Sequence, residues 1–179
     1  MKSIDDVYKK EFSAKLNALF GYEKWEEAII ILEKEIKKYP EEYFLHTSLA
    51  KTYFNLKIYD KAYDSALKAM AIEPNDPLVI YDYACTLYSL GKYIDATVEL
   101  NKIVDQNIKD ILNSKFGEGV KWVKSLINDS RFRMALCYIE LGKIAIALEL
   151  INKHLQHRQR GIYSDFTKKQ VLKKQTTLL

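Results

Sequence analysis

The sequence predicts an all-α protein built from repeated pairs of helices, and three observations lead to this prediction. The chain of 179 residues contains only 6 Gly and 3 Pro, too few turn-forming residues for a many-stranded sandwich or barrel. Apolar residue types make up 48% and charged types 29%, as in ordinary folded proteins. A pattern of aromatic, small and apolar residues recurs with a period of about 34 residues, which is typical of stacked helical repeats.

The recurring pattern is clearest where the second and third copies are aligned. Tyr59 and Ala62 lie one period before Tyr93 and Ala96, and Ala28 occupies the matching place in the first copy. A fourth copy contains the same small residues after an insertion. The four predicted copies span residues 9–42, 43–76, 77–110 and 128–161.

This repeat resembles that of the tetratricopeptide (TPR) family, whose unit of about 34 residues forms two antiparallel helices. The second copy carries most of the family's positions, namely Leu49, Ala50, Tyr53, Tyr59, Ala62, Ala66, Ala69 and Pro74. The resemblance implies an all-α, right-handed superhelical solenoid of antiparallel helix pairs, with about four repeats. It also implies a single TPR domain over residues 1–179, with an extended connection at 111–127 and a C-terminal capping helix within 162–179.

Small residues and glycines give this prediction a physical basis. Ala62 and Ala96 stand where two helices must approach closely, so we expect both to be buried between helices. Gly91 and Gly142 each follow Leu, and we expect them to close the first helix of their pair with positive φ.

The connection and the tail lead to three more expectations. One apolar stripe continues to Leu112, so the second helix of repeat three is expected to run to about Asn113. Residues 115–119 are the expected break, with a hinge at 117–119. Residues 120–127 should form a helix that either leads straight into repeat four, which is favoured, or is separated from it by a cap at Asn128 or Asp129. Ser164 is the expected N-cap of the final helix.

No catalytic or cofactor-binding group of residues is found in the sequence. Cys85 and Cys137 match no zinc or redox spacing, and Cys85 is interpreted as a small apolar filler. His154 and His157 lack a third metal ligand and are expected at a solvated helix end, whereas His46 is expected to pack between helices. We therefore predict a protein without enzymatic activity, cofactor or metal.

Charge and hydropathy limit the classes of partner. The net charge is +4, and residues 156–179 carry six basic residues against Asp165 alone. This basic tail could meet an acidic partner, RNA or a membrane surface, but a solubilising cap is favoured and nucleic acid is not expected. No apolar run reaches the roughly 20 residues of a membrane helix, and no signal peptide is evident, so we expect a cytoplasmic protein that does not bind membranes.

The TPR resemblance implies that the first helices of the repeats line a concave groove. The residues predicted on that face are mostly apolar and aromatic, and aromatic side chains dominate interface energetics. The occupant would be a partner, a second copy or this chain's own tail from Ile162 onward, while the alternative is that some rings belong to the core. The predicted groove residues are Phe20, Phe44, Lys51, Phe54, Tyr81, Tyr88, Asp129 and Phe132.

A more specific binding mode is set aside. Some TPR proteins hold acidic C-terminal peptides of chaperones in a clamp of Lys, Asn and Arg. Only Asn17 and Arg133 fit such slots here, while the remaining slots are occupied by Ser13, Ser48, Leu78 and Asp82.

These features predict a protein–protein interaction module, either an adaptor or scaffold or a chaperone-like protein. It would bind a segment of a protein or peptide partner in its apolar concave groove. The alternative is a self-assembling structural TPR protein, in which the groove or residues 111–127 form a homodimer contact.

Overall fold

The computed structural model describes residues 4–113 and 119–179, and this part of the chain forms ten α-helices. Of the predicted break at residues 115–119, residues 115–118 lie outside the described residues. In chain order the helices are α1 (Asp6–Gly21), α2 (Trp25–Lys38), α3 (Tyr43–Asn55), α4 (Tyr59–Ile72), α5 (Pro77–Ser89), α6 (Tyr93–Val104), α7 (Ile108–Asn113), α8 (Val120–Glu140), α9 (Ile144–His157) and α10 (Lys168–Leu178).

The repeat period of the sequence reappears in the positions of the helices. The second helices α2, α4 and α6 begin at Trp25, Tyr59 and Tyr93, and these starts are equally spaced along the chain. The first helices α3 and α5 begin at Tyr43 and Pro77 with the same separation. The predicted helix pairs are therefore present at the predicted period.

Each pair is joined by the same three-residue turn. In the α5–α6 turn, Lys92 N–H donates to the Leu87 carbonyl (2.9 Å) and Gly91 N–H donates to the Tyr88 carbonyl (3.0 Å). These two bonds form a Schellman motif, which satisfies carbonyls at the end of the first helix and needs one residue of positive φ. Gly91 (φ +74°) and Gly142 (φ +70°) occupy that place, as predicted.

The earlier two turns have the same geometry without glycine. Glu23 (φ +54°) and Lys57 (φ +60°) take the left-handed position in the α1–α2 and α3–α4 turns. A side chain in this region brings Cβ close to the following carbonyl oxygen, which costs free energy that glycine avoids.

Alanines lie at the helix crossings, as the repeat pattern predicted. Ala62 and Ala96 are fully buried, and so are Ala28 and Ala147 at the corresponding positions of the first and fourth pairs. The absence of a longer side chain lets the paired helices pack closely, since the interaxial distance depends on the residues at the contact.

The chain comprises two compact units, one up to Asn75 and one from Asp76 onward. In the first unit, α1 to α4 enclose a core cluster of Phe12, Leu16, Ala28, Leu32, Leu45, Leu49, Tyr53 and Ala62. In the second unit, α8, α9 and α10 share a cluster of Phe132, Ala135, Ala147, Ile151 and Val171. A single TPR domain over residues 1–179 stays a prediction.

The connection after repeat three differs in part from the expectation. The helix does not run unbroken to Asn113: α6 ends at Val104, and α7 begins at Ile108. The Asn107 side chain accepts a hydrogen bond from the Lys109 N–H (2.9 Å), a local bond that starts a new helix. The expected continuous helix into repeat four is confirmed, because α8 runs from Val120 to Glu140.

The tail ends in a helix, as expected, but that helix begins later than predicted. Thr167, not Ser164, is the N-cap of α10: the Thr167 hydroxyl accepts from the Gln170 N–H (3.2 Å), and the Gln170 side chain accepts from the Thr167 N–H (2.7 Å). This reciprocal pair is a capping box. Ser164 is thereby left in the segment that precedes the helix.

Replacing Ala62 with Leu should destabilise the first unit by about 1–3 kcal/mol, because the larger side chain overpacks a fully buried crossing. Chemical unfolding followed by circular dichroism measures this change. Ala71→Leu, at an exposed position of the same helix, is the matched control and should change stability by less than about 0.5 kcal/mol. Equal effects of the two substitutions would contradict the assigned crossing.

The two kinds of turn predict effects of opposite sign. A Cβ at Gly91 meets no atom within 4 Å, so Gly91→Ala should cost about 1 kcal/mol through backbone strain alone. Lys57→Gly removes that strain and should stabilise the chain by roughly 0.5 kcal/mol, the remainder being lost to the entropy of the unfolded chain. Denaturation midpoints that shift in the same direction would refute this account.

Candidate functional site

In the second unit, the segment that precedes α10 lies across α5 and α8. We call residues 162–167 the tail segment. Its Asp165 carboxylate accepts a hydrogen bond from the Tyr81 hydroxyl of α5 (3.1 Å). Its Phe166 ring packs edge-to-face on Phe132 of α8, with 4.6 Å between the ring centroids. The surface formed by Tyr81, Asp129, Phe132 and Arg133, which we call the docking face, is therefore covered by the chain's own tail.

Asp129 is the acidic centre of the docking face. One carboxylate oxygen accepts from the Ser164 hydroxyl (2.6 Å) and the other from the Asp165 N–H (2.7 Å). The residue is only 3% exposed. Burial disfavours the charged form more strongly than these two hydrogen bonds favour it, which raises the pKa of Asp129 to about 6.

Arg133 is the basic centre. Its guanidinium lies over the Phe166 ring, 4.8 Å from the centroid, and its Nε donates to the Tyr81 hydroxyl oxygen (3.5 Å). A planar guanidinium suits such stacking on an aromatic ring. Burial raises the pKa of Tyr81 well above its ordinary value, so its hydroxyl stays protonated and donates to Asp165.

A second polar cluster holds the tail from the α9 side. Arg158 donates to the Phe166 carbonyl (2.8 Å) and to His154 Nε2 (3.0 Å). His154 Nδ1 lies 2.8 Å from the Asn128 carbonyl, so the neutral ring donates there and accepts from Arg158. Burial lowers the pKa of His154, which favours this neutral form.

The expectation of a solvated helix end at His154 is therefore wrong. His154 is fully buried, and its ring centroid lies 5.2 Å from that of Phe132, whereas His157 is exposed. Side chains three residues apart point about 60° apart around a helix, so such a pair can lie across the edge of the buried face, with His154 inside it and His157 outside. His46 is buried, with Nε2 2.7 Å from the Pro40 carbonyl, which confirms its structural role.

The predicted groove residues of the second unit fall into two groups. Tyr81, Asp129 and Phe132 are brought together beneath the tail segment, where each is at most 5% exposed. Tyr88 is half-buried and packs on Tyr93, with 5.5 Å between ring centroids. The tail covers the first three, which were expected on an open face.

The predicted residues of the first unit are half-buried rings and one exposed cation. Lys51 Nζ lies 5.5 Å from the centroid of the Phe20 ring, a cation–π contact. Lys9 Nζ makes the same kind of contact with Phe44, 4.8 Å from the centroid of its ring. Phe54 packs on Tyr59, and the Phe20, Phe44 and Phe54 rings also border the core cluster of this unit.

Sequence reasoning missed the residues that hold the tail in place, chiefly Arg158 and the hydroxyl of Ser164. One available signal was the capping-box pattern formed by Thr167 and Gln170, since it moves the start of the last helix beyond Ser164. Cys85 and Cys137 are buried free cysteines, and burial raises the pKa of Cys85 to about 12, as fits an apolar filler.

Two features are absent from the described part of the chain. In residues 4–113 and 119–179, no group of three or more His, Cys, Asp or Glu side chains could hold a metal ion. No helix in the same ranges is both long enough and apolar enough to cross a membrane.

The helix pairs, their common turn and the buried alanines place the chain among the helical-hairpin repeat proteins. Residues 79–98, in α5 and the start of α6, match the family model of the tetratricopeptide repeat. This match and the solved structures described below confirm the TPR resemblance, and the chain has the fold of an all-α TPR solenoid. A comparison with curated proteins gives no match.

Solved structures with the same fold share little sequence with this chain. The MamA RS-1 ArsTM double mutant aligns with a TM-score of 0.66 at 16% identity, over 87% of this chain and 77% of that one. PilW, a widely conserved type IV pilus biogenesis factor, aligns with a TM-score of 0.68 at 16% identity. The alignment covers 86% of this chain but 63% of PilW, which is less than two thirds of its length. The first TPR domain of human RPAP3 aligns with a TM-score of 0.55 at 16% identity, over 78% of this chain and 91% of that domain.

Buried Asp129 predicts a specific pH dependence. Because its pKa is raised from 3.8 to about 6, the folded state binds a proton more tightly than the unfolded state does. Its stabilising contribution is fully present below pH 4 and is lost as the pH rises to about 6, by up to ~3 kcal/mol. Relative to Asp129→Asn, the wild-type chain should thus lose stability between pH 4 and pH 7 in urea unfolding. A wild-type-to-variant difference that does not change with pH would contradict the assignment.

Proposed function

We propose that the protein is a non-enzymatic protein–protein interaction module, an adaptor or chaperone-like protein that holds an extended segment of a partner against its first helices. The observation that carries this proposal is the covered docking face. There, α5 and α8 already hold a segment of polypeptide that is neither helix nor strand.

The contacts that hold the tail segment are of the kind that bind a peptide. Three side chains contact the backbone of the tail segment: Ser125 donates to the Tyr163 carbonyl (2.6 Å), Asp129 accepts from the Asp165 N–H, and Arg158 donates to the Phe166 carbonyl. Such bonds hold the backbone of a segment whatever its side chains are. Phe132 and Arg133 add aromatic and cationic contacts, which are enriched at interface hot spots.

The first unit offers a second surface of mixed character. Phe20, Phe44 and Phe54 are half-buried, and Lys51 is exposed beside Phe20. Half-exposed rings flanked by a cation can bury further area against a partner at little cost in their own ordering. TPR-fold proteins are interaction modules, which supports the same general function for this chain.

Replacing either Phe54 or Tyr88 with Ala should reduce capture of native partners by at least about tenfold, since an aromatic hot spot contributes about 2 kcal/mol or more. Quantitative mass spectrometry of partners retained by the full chain measures this. Tyr22→Ala, at a ring that is 79% exposed in a turn, is the matched control and should leave capture unchanged.

Two results would count against this function. Unchanged capture by both variants, with helicity retained, would remove the predicted groove residues Phe54 and Tyr88 from the interaction. Sedimentation of the wild-type chain tests the alternative: a mass that doubles with concentration, and that Phe54→Ala or Tyr88→Ala returns to the monomer, would instead indicate self-assembly.

A further inference from the structure

The tail segment contacts the docking face in the manner of a bound peptide. Residues 158–167 form neither helix nor strand, and Tyr163 in their middle is 76% exposed. The helix that follows is anchored separately, because Val171 is fully buried in the cluster shared by α8, α9 and α10. The tail segment meets the docking face through three successive residues, Ser164, Asp165 and Phe166.

These three residues define a chemical pattern. The Asp165 carboxylate accepts from the Tyr81 hydroxyl, which lies beside the Arg133 guanidinium. The next side chain, Phe166, lies between the guanidinium of Arg133 and the ring of Phe132. In the tail, the docking face thus contacts a carboxylate residue followed directly by an aromatic residue.

The groups that hold residues 164–166 belong to the docking face itself. The Ser164 hydroxyl and the Asp165 N–H donate to the Asp129 carboxylate, and these two hydrogen bonds favour its charged form. An incoming segment meets the same groups, because none of the contacts of residues 164–166 with α5 and α8 depends on α10.

We propose that the docking face binds a non-helical partner segment in which a carboxylate residue is followed directly by an aromatic residue, and that the chain's own residues 164–166 occupy this site until such a segment displaces them. This proposal rests on the interaction function proposed above and names the class of segment that one of its surfaces takes.

The test uses the full chain and a defined probe. The probe is a fluorescently labelled synthetic peptide with the sequence of residues 162–179. The receptor is the full-length double variant Asp165→Ala, Phe166→Ala, in which the resident segment has lost its carboxylate and its ring. We expect the double variant to bind the probe at least about tenfold more tightly than the wild-type chain, whose site is occupied.

Two matched controls identify the contacts. A probe that carries the same two alanines should bind the double variant at least about tenfold more weakly than the unaltered probe. Adding Tyr81→Phe to the double variant removes one hydroxyl and keeps the ring, and it should weaken probe binding by a factor of about five to ten. A helical double variant that fails to bind the probe, or that binds both probes equally, overturns the proposal.

Hydrogen exchange on the wild-type chain keeps the proposal testable if the double variant does not fold. Amides of residues 162–170 should exchange at least about tenfold faster than those of α8, and an excess of isotopically labelled probe should accelerate their exchange further. Exchange of this segment at the rate of α8, unaffected by the probe, would show a permanent cap and overturn the proposal.

Sedimentation tests the remaining alternative occupant, the tail of a second copy of the chain. We expect a monomer. A wild-type dimer that the double variant loses would assign the docking face to the tail of a second copy and would overturn the partner-segment proposal. Loss of probe binding with intact capture through Phe54 and Tyr88 would refute this inference alone and leave the proposed function standing.

Discussion

The close approach of paired helices at alanine is the constraint on which the rest of the structure depends. Ala28, Ala62, Ala96 and Ala147 are fully buried, one in the second helix of each pair. These contacts join the two helices of each pair along one face. The first helix of a pair therefore keeps another face that the hairpin itself does not cover. In the second unit that face carries Tyr81, Asp129 and Phe132, and the tail lies on it.

Local patterns in the sequence predicted the helix pairs well. The repeat period located the helix starts, and Gly91 and Gly142 located turns of positive φ, because both signals act within a few residues. The break between α6 and α7 was missed. An apolar stripe shows which face is buried, and Ile111 remains buried, but the stripe does not show whether the backbone hydrogen bonds continue past Asn107.

The candidate site could be predicted only in part, for a related reason. Helical register was enough to group Tyr81, Asp129 and Phe132 as residues of one face. The groups that hold the tail join distant parts of the chain: Ser164 reaches Asp129 across 35 residues, and Asp165 reaches Tyr81 across 84. No local periodicity links such residues. His154 shows the same limit, since its spacing from His157 fits a solvated helix end as well as the buried position it occupies.

Carrying an occupant of the docking face on the same chain has a quantitative consequence. A segment tethered by about ten residues meets its site at an effective concentration on the order of millimolar, whatever the amount of protein present. A competitor must therefore exceed this local concentration, weighted by the ratio of the two affinities. Weak or dilute segments would be rejected without any steric barrier. The strength of the Phe166 and Asp165 contacts then acts as a threshold, and substitutions in the tail could retune that threshold while the docking face stays the same.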